Sequence, residues 1–298
     1  MLLRKRPKTA TNLTERAALF SPEAMSRAWQ SVRHNGPTPG VDGVTLRQFT
    51  QRLDRNLEEL RCELEAGVYE PLPVKRILIP KKDGGLRPLA IWALRDRIAQ
   101  RVVHDALVPL LEPLFLECSY GFRPGRAVAD AVRAITAARD LGYRWVVDAD
   151  IEDCFGSLDY RRMMAQVRAH VHNDVLVKLI DKWLNTRVQN PASGRRTKAA
   201  TSQGGVITPV LANLYLHPFD VEITRRVPGG RLVRFADDFV ILCRKRQEAA
   251  SALSVAEQVL RRLRLQLNPR KTQVVHFDEG FSYLGVFFLR NEHFTLNK

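Results

Sequence analysis

The stretch LVRFADDFVILC, residues 232–243, sets two adjacent aspartates, Asp237 and Asp238, between two runs rich in β-branched and aromatic residues. That pattern reads as strand, tight turn, strand, with both carboxylates at the tip. Two like charges held beside an apolar sheet repel one another and resist desolvation, so the arrangement costs free energy unless cations neutralise it. Mg²⁺ commonly binds through one or two carboxylates plus substrate phosphates, so an acidic hairpin supplies half of a phosphoryl-transfer site. Taken alone, the pair reads more readily as a hydrated turn, because Asp is a common turn residue.

A second acidic element lies upstream in WVVDADIEDCFGSLD, residues 145–159. Period-2 alternation puts Trp145, Val147, Ala149 and Ile151 on one strand face and Val146, Asp148 and Asp150 on the other. An edge strand with one wet face would look the same. If this strand lies beside the acidic hairpin in an antiparallel sheet, three or four carboxylates converge where two metal ions can clamp an attacking and a leaving oxygen.

The chain has 298 residues and a formal charge of +15, from 47 Lys and Arg against 32 Asp and Glu. Its length can bury a substantial core, and two closely joined lobes are the expectation. The basic excess suits a polyanionic partner. The N-terminus MLLRKRPK has no apolar h-region, and no run approaches a membrane-spanning length. Cys62, Cys118, Cys154 and Cys243 are scattered without C-x-x-C spacing, which argues against zinc and a disulfide framework and for a reducing, cytoplasmic setting.

Apolar periodicity predicts helices over 14–34 and 46–66, split by the ordered turn HNGPTPGVDG at 34–43. Residues 75–91 read as a β-hairpin closed by Lys82-Asp83-Gly84-Gly85. Helices are expected near 95–115, 126–140, 160–170, 174–186, 209–226 and 247–265, with a turn at 190–194 and a terminal pair of short strands. There is no internal repeat.

Asp150 followed by Phe155, then Ser202-Gln203-Gly204-Gly205 with Pro209, then Phe235-Ala236-Asp237-Asp238, resembles the ordered motif set of reverse transcriptases, most closely the bacterial group II intron-encoded type. Further matches are IPKKDGGLRPLAI at 79–91, RDRIAQRVVHDAL at 95–107, CSYGFRPGRAVADAV at 118–132, LNPRKTQ at 267–273 and FSYLGVFF at 281–288, while NGPTPGVDGVTLRQF at 35–49 resembles the group's N-terminal extension. The resemblance covers roughly residues 30–290. It implies an α+β fold of right-hand polymerase fingers and palm. The palm would be a ferredoxin-like antiparallel sheet with helices, preceded by a helical extension over 1–69, with the polymerase domain over 70–290 and a short tail over 291–298.

By the same resemblance the activity is RNA-directed DNA synthesis, with Asp150, Asp237 and Asp238 holding Mg²⁺, or Mn²⁺ in its place, and the backbone carbonyl of Ile151 completing one shell. Asp148 is expected to support rather than ligate, and Asp153 to lie at the surface. Lys81 and Arg87 flank a glycine turn and would meet a triphosphate, although on spacing alone they read as a solvated hairpin. Gln203 would contact the incoming nucleotide, and Gly204 and Gly205 would let a base or nucleotide approach the backbone. Phe155 would pack under C2′ and exclude a 2′-hydroxyl; a core Phe is the other reading. Lys271 is either a lysine near the nucleotide and primer or an ordinary helix-end cation. Gly285 matches the primer-grip turn. Arg187, Arg195, Arg196 and Lys198, with Arg4, Lys5, Arg6 and Lys8, are candidate backbone contacts.

The implied partners are an RNA template, a DNA or RNA primer and dNTPs, with no membrane. Group II intron proteins normally continue into a helical thumb, a maturation region and often an endonuclease. A chain ending at Lys298 therefore suggests a stand-alone enzyme of antiviral defence or CRISPR adaptation, a polymerase whose thumb comes from a partner protein, or a relic of a mobile element. A non-catalytic RNA-binding remnant is the alternative of a different class, and the intact carboxylates argue against it.

Overall fold

The structure is a computed structural model and describes residues 16–36, 38–80, 85–189, 196–198 and 204–296. The chain divides into two compact units, one of residues 1–110 and 164–208, the other of residues 111–163 and 209–298.

In the first unit, α1 (Pro22–Arg33) starts on a Ser21 cap and buries Met25, Ala28, Trp29 and Val32. The helix expected over 46–66 is two helices, α2 (Leu46–Gln51) and α3 (Leu53–Ala66), because Arg52 between them leaves helical geometry at φ −130°. Trp29 stacks on Phe49 of α2 with centroids 5.2 Å apart. The hairpin β1 (Val74–Pro80) and β2 (Leu86–Ile91) pairs in antiparallel register, Ile79 opposite Arg87. It is followed by α4 (Leu94–Leu111). The turn after α1 is pinned by the buried Arg97 of α4, whose guanidinium donates to the carbonyls of Trp92, Gly36 and Thr38. A Cβ on Gly40 would sit 2.5 Å from Ala93 Cα, so this turn needs glycine to lie against the start of α4. Residues 187–189 and 196–198 flank the expected turn as strands. They complete a sheet of order β2-β1, then the 187–189 strand, then the 196–198 strand.

In the second unit, α5 (Val128–Asp140), β3 (Trp145–Asp150), a single helical turn α6 (Cys154–Ser157), α9 (Thr208–Arg226), β6 (Arg231–Phe235), β7 (Asp238–Cys243), α10 (Arg246–Arg262) and β8 (Gln273–His276) follow in chain order. Helices α7 (Tyr160–His170) and α8 (Asp174–Leu184) and strands β4 (Arg187–Gln189) and β5 (Arg196–Lys198) intervene between α6 and α9. The strands β3, β6, β7 and β8 form an antiparallel sheet of order β6-β7-β3-β8. Taken by its sheet strands, this is the ferredoxin-like β-α-β-β-α-β arrangement. Alternation decides the faces. Phe239, on the Ala149 face, meets Phe219 of α9 edge-on at 4.9 Å. Val146, Val233, Val240, Leu242 and Val275 point the other way into a core shared with Ile135 of α5 and with Phe277, Phe281 and Phe288.

The chain does not end in a pair of strands. Beyond β8, a three-stranded meander of β9 (Phe281–Tyr283), β10 (Val286–Leu289) and β11 (Glu292–Thr295) forms. The short β8 takes its strand state from pairing with β3 across more than a hundred residues, and β11, exposed throughout, from pairing with β10. Neither carries a strong local signal. Between β9 and β10, Leu284 and Gly285 both have positive φ, 52° and 78°. A two-residue turn with two such residues matches the twist of a hairpin.

Among the described residues no helix is long and apolar enough to cross a membrane, and all four cysteines are free thiols.

Candidate active site

β3 and β7 are aligned so that Asp150 faces Asp238 and Asp148 faces Val240. Asp148, Asp150 and Asp238 thus continue the Val146–Val240 core face to its open end. Like charges directly opposite on a sheet destabilise it. The cost shows in Asp238, which is pushed up to about 7 by burial, by its hydrogen bond with the Asp150 carboxyl and by the charges of Asp237 and Asp150. Burial, then the charge of Asp150, also raises Asp237. Burial raises Asp148 to about 6, against a hydrogen bond from Gln273 Nε2 at 3.0 Å. That bond gives Asp148 a partner of its own on β8.

Among the described residues no three or more His, Cys, Asp or Glu side chains form a ready metal cage. The carboxylates that do meet are an opposed pair, with Asp237 at the neighbouring turn. An anionic, incompletely neutralised site of this kind fits a hard divalent cation that takes its remaining oxygen ligands from water and substrate phosphates. Lys271 partly offsets the charge, with Nζ 3.1 Å from Asp150 Oδ2. It lies in the turn before β8, not at a helix end. Asn268 fixes the strand end by donating its backbone N–H to the Asp150 carbonyl at 2.8 Å. Ile151 is buried and bridges Leu267, but the hydrogen bonds of that bridge belong to Asp150 and Glu152, so the Ile151 carbonyl takes no part in them.

The turn that presents Asp237 is strained. Ala236 sits at φ 60° between Phe235 and Asp238, which are register partners. A residue with a Cβ pays about 1–2 kcal/mol there. Arg234 holds the turn in place. Fully buried, it spends all five of its N–H donors: two on the Asp220 carboxylate at 2.6 and 2.5 Å, one on Ser119 Oγ at 2.8 Å, one on Asn213 Oδ1 at 3.0 Å and one on the Ala236 carbonyl at 2.8 Å. From below, Tyr283 of β9 places its hydroxyl 3.1 Å from the Asp238 carbonyl. Gly121 lies under the turn, where a Cβ would come within 2.4 Å of Ala236 N.

Sequence reading missed Arg234, Asp220 and Tyr283. The available signal was the arginine itself, since a cation inside an apolar strand has to be paired.

Phe155 lies on α6, half-buried rather than in the core, and Asp153 is exposed. Arg87 is exposed on β2, and Arg187 is exposed on β4. Gly204 has φ 123°, but its missing Cβ makes room for the Ala90 carbonyl, 2.2 Å from where that carbon would be. Close packing against β2, together with the positive φ, requires glycine here. Lys81, Gln203, Arg195, Arg4, Lys5, Arg6 and Lys8 lie outside the described residues, as do the side chains of Arg196 and Lys198.

The raised Asp238 carboxyl makes a prediction with a definite sign. A carboxyl whose folded pKa exceeds its unfolded value stabilises the fold at low pH, and the contribution is lost as pH rises towards about 7. In metal-free buffer the melting temperature of Asp238→Asn should therefore exceed wild type by a larger margin at pH 8 than at pH 5. Thermal melts at the two pH values check this, and an equal margin at both would contradict it.

The family described as reverse transcriptase (RNA-dependent DNA polymerase) matches residues 79–288. The chain belongs to the reverse transcriptase family. It is 34% identical over 285 residues to protein YkfC of Escherichia coli, covering 83% of this chain and 75% of that protein. It is 32% identical over 206 residues to the group II intron-encoded protein LtrA of Lactococcus lactis, covering 68% of this chain but only 34% of LtrA. The telomerase of Candida albicans shares the fold, with a TM-score of 0.60 at 13% identity over 84% of this chain and 51% of that one. The α+β fold with fingers and palm follows from these likenesses.

Proposed function

We propose that this reverse transcriptase adds dNTPs to a primer 3′-hydroxyl under the direction of an RNA template. The observation that carries the reading is the opposed Asp150–Asp238 pair, whose second member is pushed up to about 7 even with Lys271 beside Asp150. Such a pair is costly unless it has a use for positive charge. Asp150, Asp237 and Asp238 would hold divalent ions, Mg²⁺ or Mn²⁺, with the Ile151 carbonyl as a further oxygen ligand. When bound, these ions supply the polarisation of the 3′-hydroxyl and the neutralisation of charge on the departing pyrophosphate.

The remaining work falls to the chain. Arg234 keeps the Ala236 carbonyl, and with it Asp237, in one position, so that little reorganisation is needed as charge develops. Lys271 partly offsets the charge of Asp150 and would meet a nearby phosphate. Lys81 and Arg87 would bind the triphosphate, Arg87 through its planar fork. Gln203 would orient the incoming nucleotide, and the basic positions from Arg187 to Lys198 would follow a phosphate backbone. Phe155, half-buried after β3, would close the space beneath C2′.

Extension of a primed RNA template with dNTPs or rNTPs tests this directly. Wild type is expected to elongate with dNTPs alone, and Phe155→Ala to admit rNTPs while keeping dNTP use. Equal use of both sugars by wild type would remove Phe155 from the reading. Elongation with neither by a folded protein would contradict the activity.

A further inference from the structure

Phe122 is 53% exposed and has φ 58°. Both features are unfavourable for a large apolar residue: water meets the ring, and the left-handed backbone region crowds its Cβ. Such a conformation persists only when its surroundings impose it, and strained residues of this kind collect at functional sites.

Here both neighbours impose it. Gly121 is wedged against Ala236 N, and its carbonyl accepts from Asn213 Nδ2 at 2.7 Å. Arg123, 7% exposed, donates to Glu112 through Nε and Nη2 and to the Leu116 and Ser119 carbonyls through Nη1. Anchored on either side, the chain presents the intervening ring to solvent. The Phe122 ring lies 6.4 Å from that of Phe235, tilted by 48°. Phe235 packs on the core and is the register partner of Asp238. An exposed aromatic surface is therefore built beside the acidic turn.

Its side of the sheet matters. Phe155 follows the end of β3 and Lys271 precedes β8, whereas Phe122 and Phe235 lie at β6, across β7 from β3. If the incoming nucleotide is served from the β3–β8 side, the nucleotides already joined lie towards β6. Resting on the polymerase reading of the carboxylates, we infer that Phe122 is a primer contact: its ring receives the sugar and base surface of nucleotides at the primer's 3′ end. Stacking on an aromatic ring is tolerant of sequence, as a site that must hold any primer terminus requires.

Phe122→Gly removes the ring and suits the positive φ, so it relieves strain instead of adding it. Phe122→Tyr keeps the ring. Three quantities separate the outcomes: primer–template affinity by fluorescence anisotropy, dNTP KM at saturating primer–template, and the single-turnover incorporation rate. Phe122→Gly should weaken primer–template affinity about 5- to 100-fold. Its dNTP KM should stay within about twofold, and Phe122→Tyr should bind like wild type. Unchanged affinity in Phe122→Gly would overturn the inference. So would a raised dNTP KM at unchanged affinity, which would assign the ring to the nucleotide. A wild type that does not bind primer–template would overturn it as well. If wild type binds primer–template but incorporates nothing, the polymerase reading fails, and the affinity comparison still decides whether the ring contacts the primer.

Discussion

Asp150→Asn is expected to leave a folded protein that binds primer–template but extends it at least about 10³-fold more slowly than wild type. Metal ions at such sites contribute several kcal/mol of charge stabilisation, and each 1.36 kcal/mol is a factor of ten in rate. The substitution removes a charge with little change of shape. The Asp150 backbone carbonyl keeps its hydrogen bond from Asn268, and the register with Asp238 is unaffected. What is lost in stability is an ion pair with a Lys271 side chain that is 55% exposed, worth at most about 1 kcal/mol. Relief of the repulsion with Asp238 acts in the opposite direction. Melting temperature and duplex affinity near wild type, with single-turnover extension abolished, would place the loss in chemistry. Activity within tenfold of wild type would take Asp150 out of the reacting centre.

Arg234→Leu should cost about 3–5 kcal/mol of stability, because it strands a fully buried Asp220 without its counter-charge. That is a large part of the roughly 5–15 kcal/mol by which a domain is stable. Denaturant unfolding measures the loss. A companion variant, Arg234→Leu with Asp220→Leu, removes both charges and should recover much of the stability, since apolar replacements of buried ion pairs are often tolerated. It restores neither the donor to the Ala236 carbonyl nor the one to Asn213. Extension by the double variant should therefore stay low despite a recovered melting transition. Full activity in that variant would reduce Arg234 to a stabilising residue with no part in placing the acidic turn.

The acidic hairpin, the alternating face of β3 and the hairpin of β1 and β2 are legible in the sequence, because each is set by short-range periodicity and turn chemistry. The family motifs place the same elements in the same order. What escapes such reading is set by contacts between distant residues. Arg234 meets Asp220 and Ser119, Lys271 meets Asp150, and Tyr283 reaches back to β7. None of these pairs has a local spacing rule. The short β8 is a strand because β3 lies beside it. Gly204 has a packing reason that local reading does not show: a Cβ there would meet the Ala90 carbonyl. The break at Arg52 was hidden because apolar spacing continues through it from α2 into α3.

The most direct test of the central claim is single-nucleotide incorporation on a primed RNA template, followed as a Mg²⁺ titration with each of the four dNTPs in turn. Addition of only the complementary dNTP, rising to saturation with Mg²⁺ and abolished by chelation, is the expected result. A folded protein that binds the primer–template yet adds no nucleotide at any Mg²⁺ concentration would contradict the account.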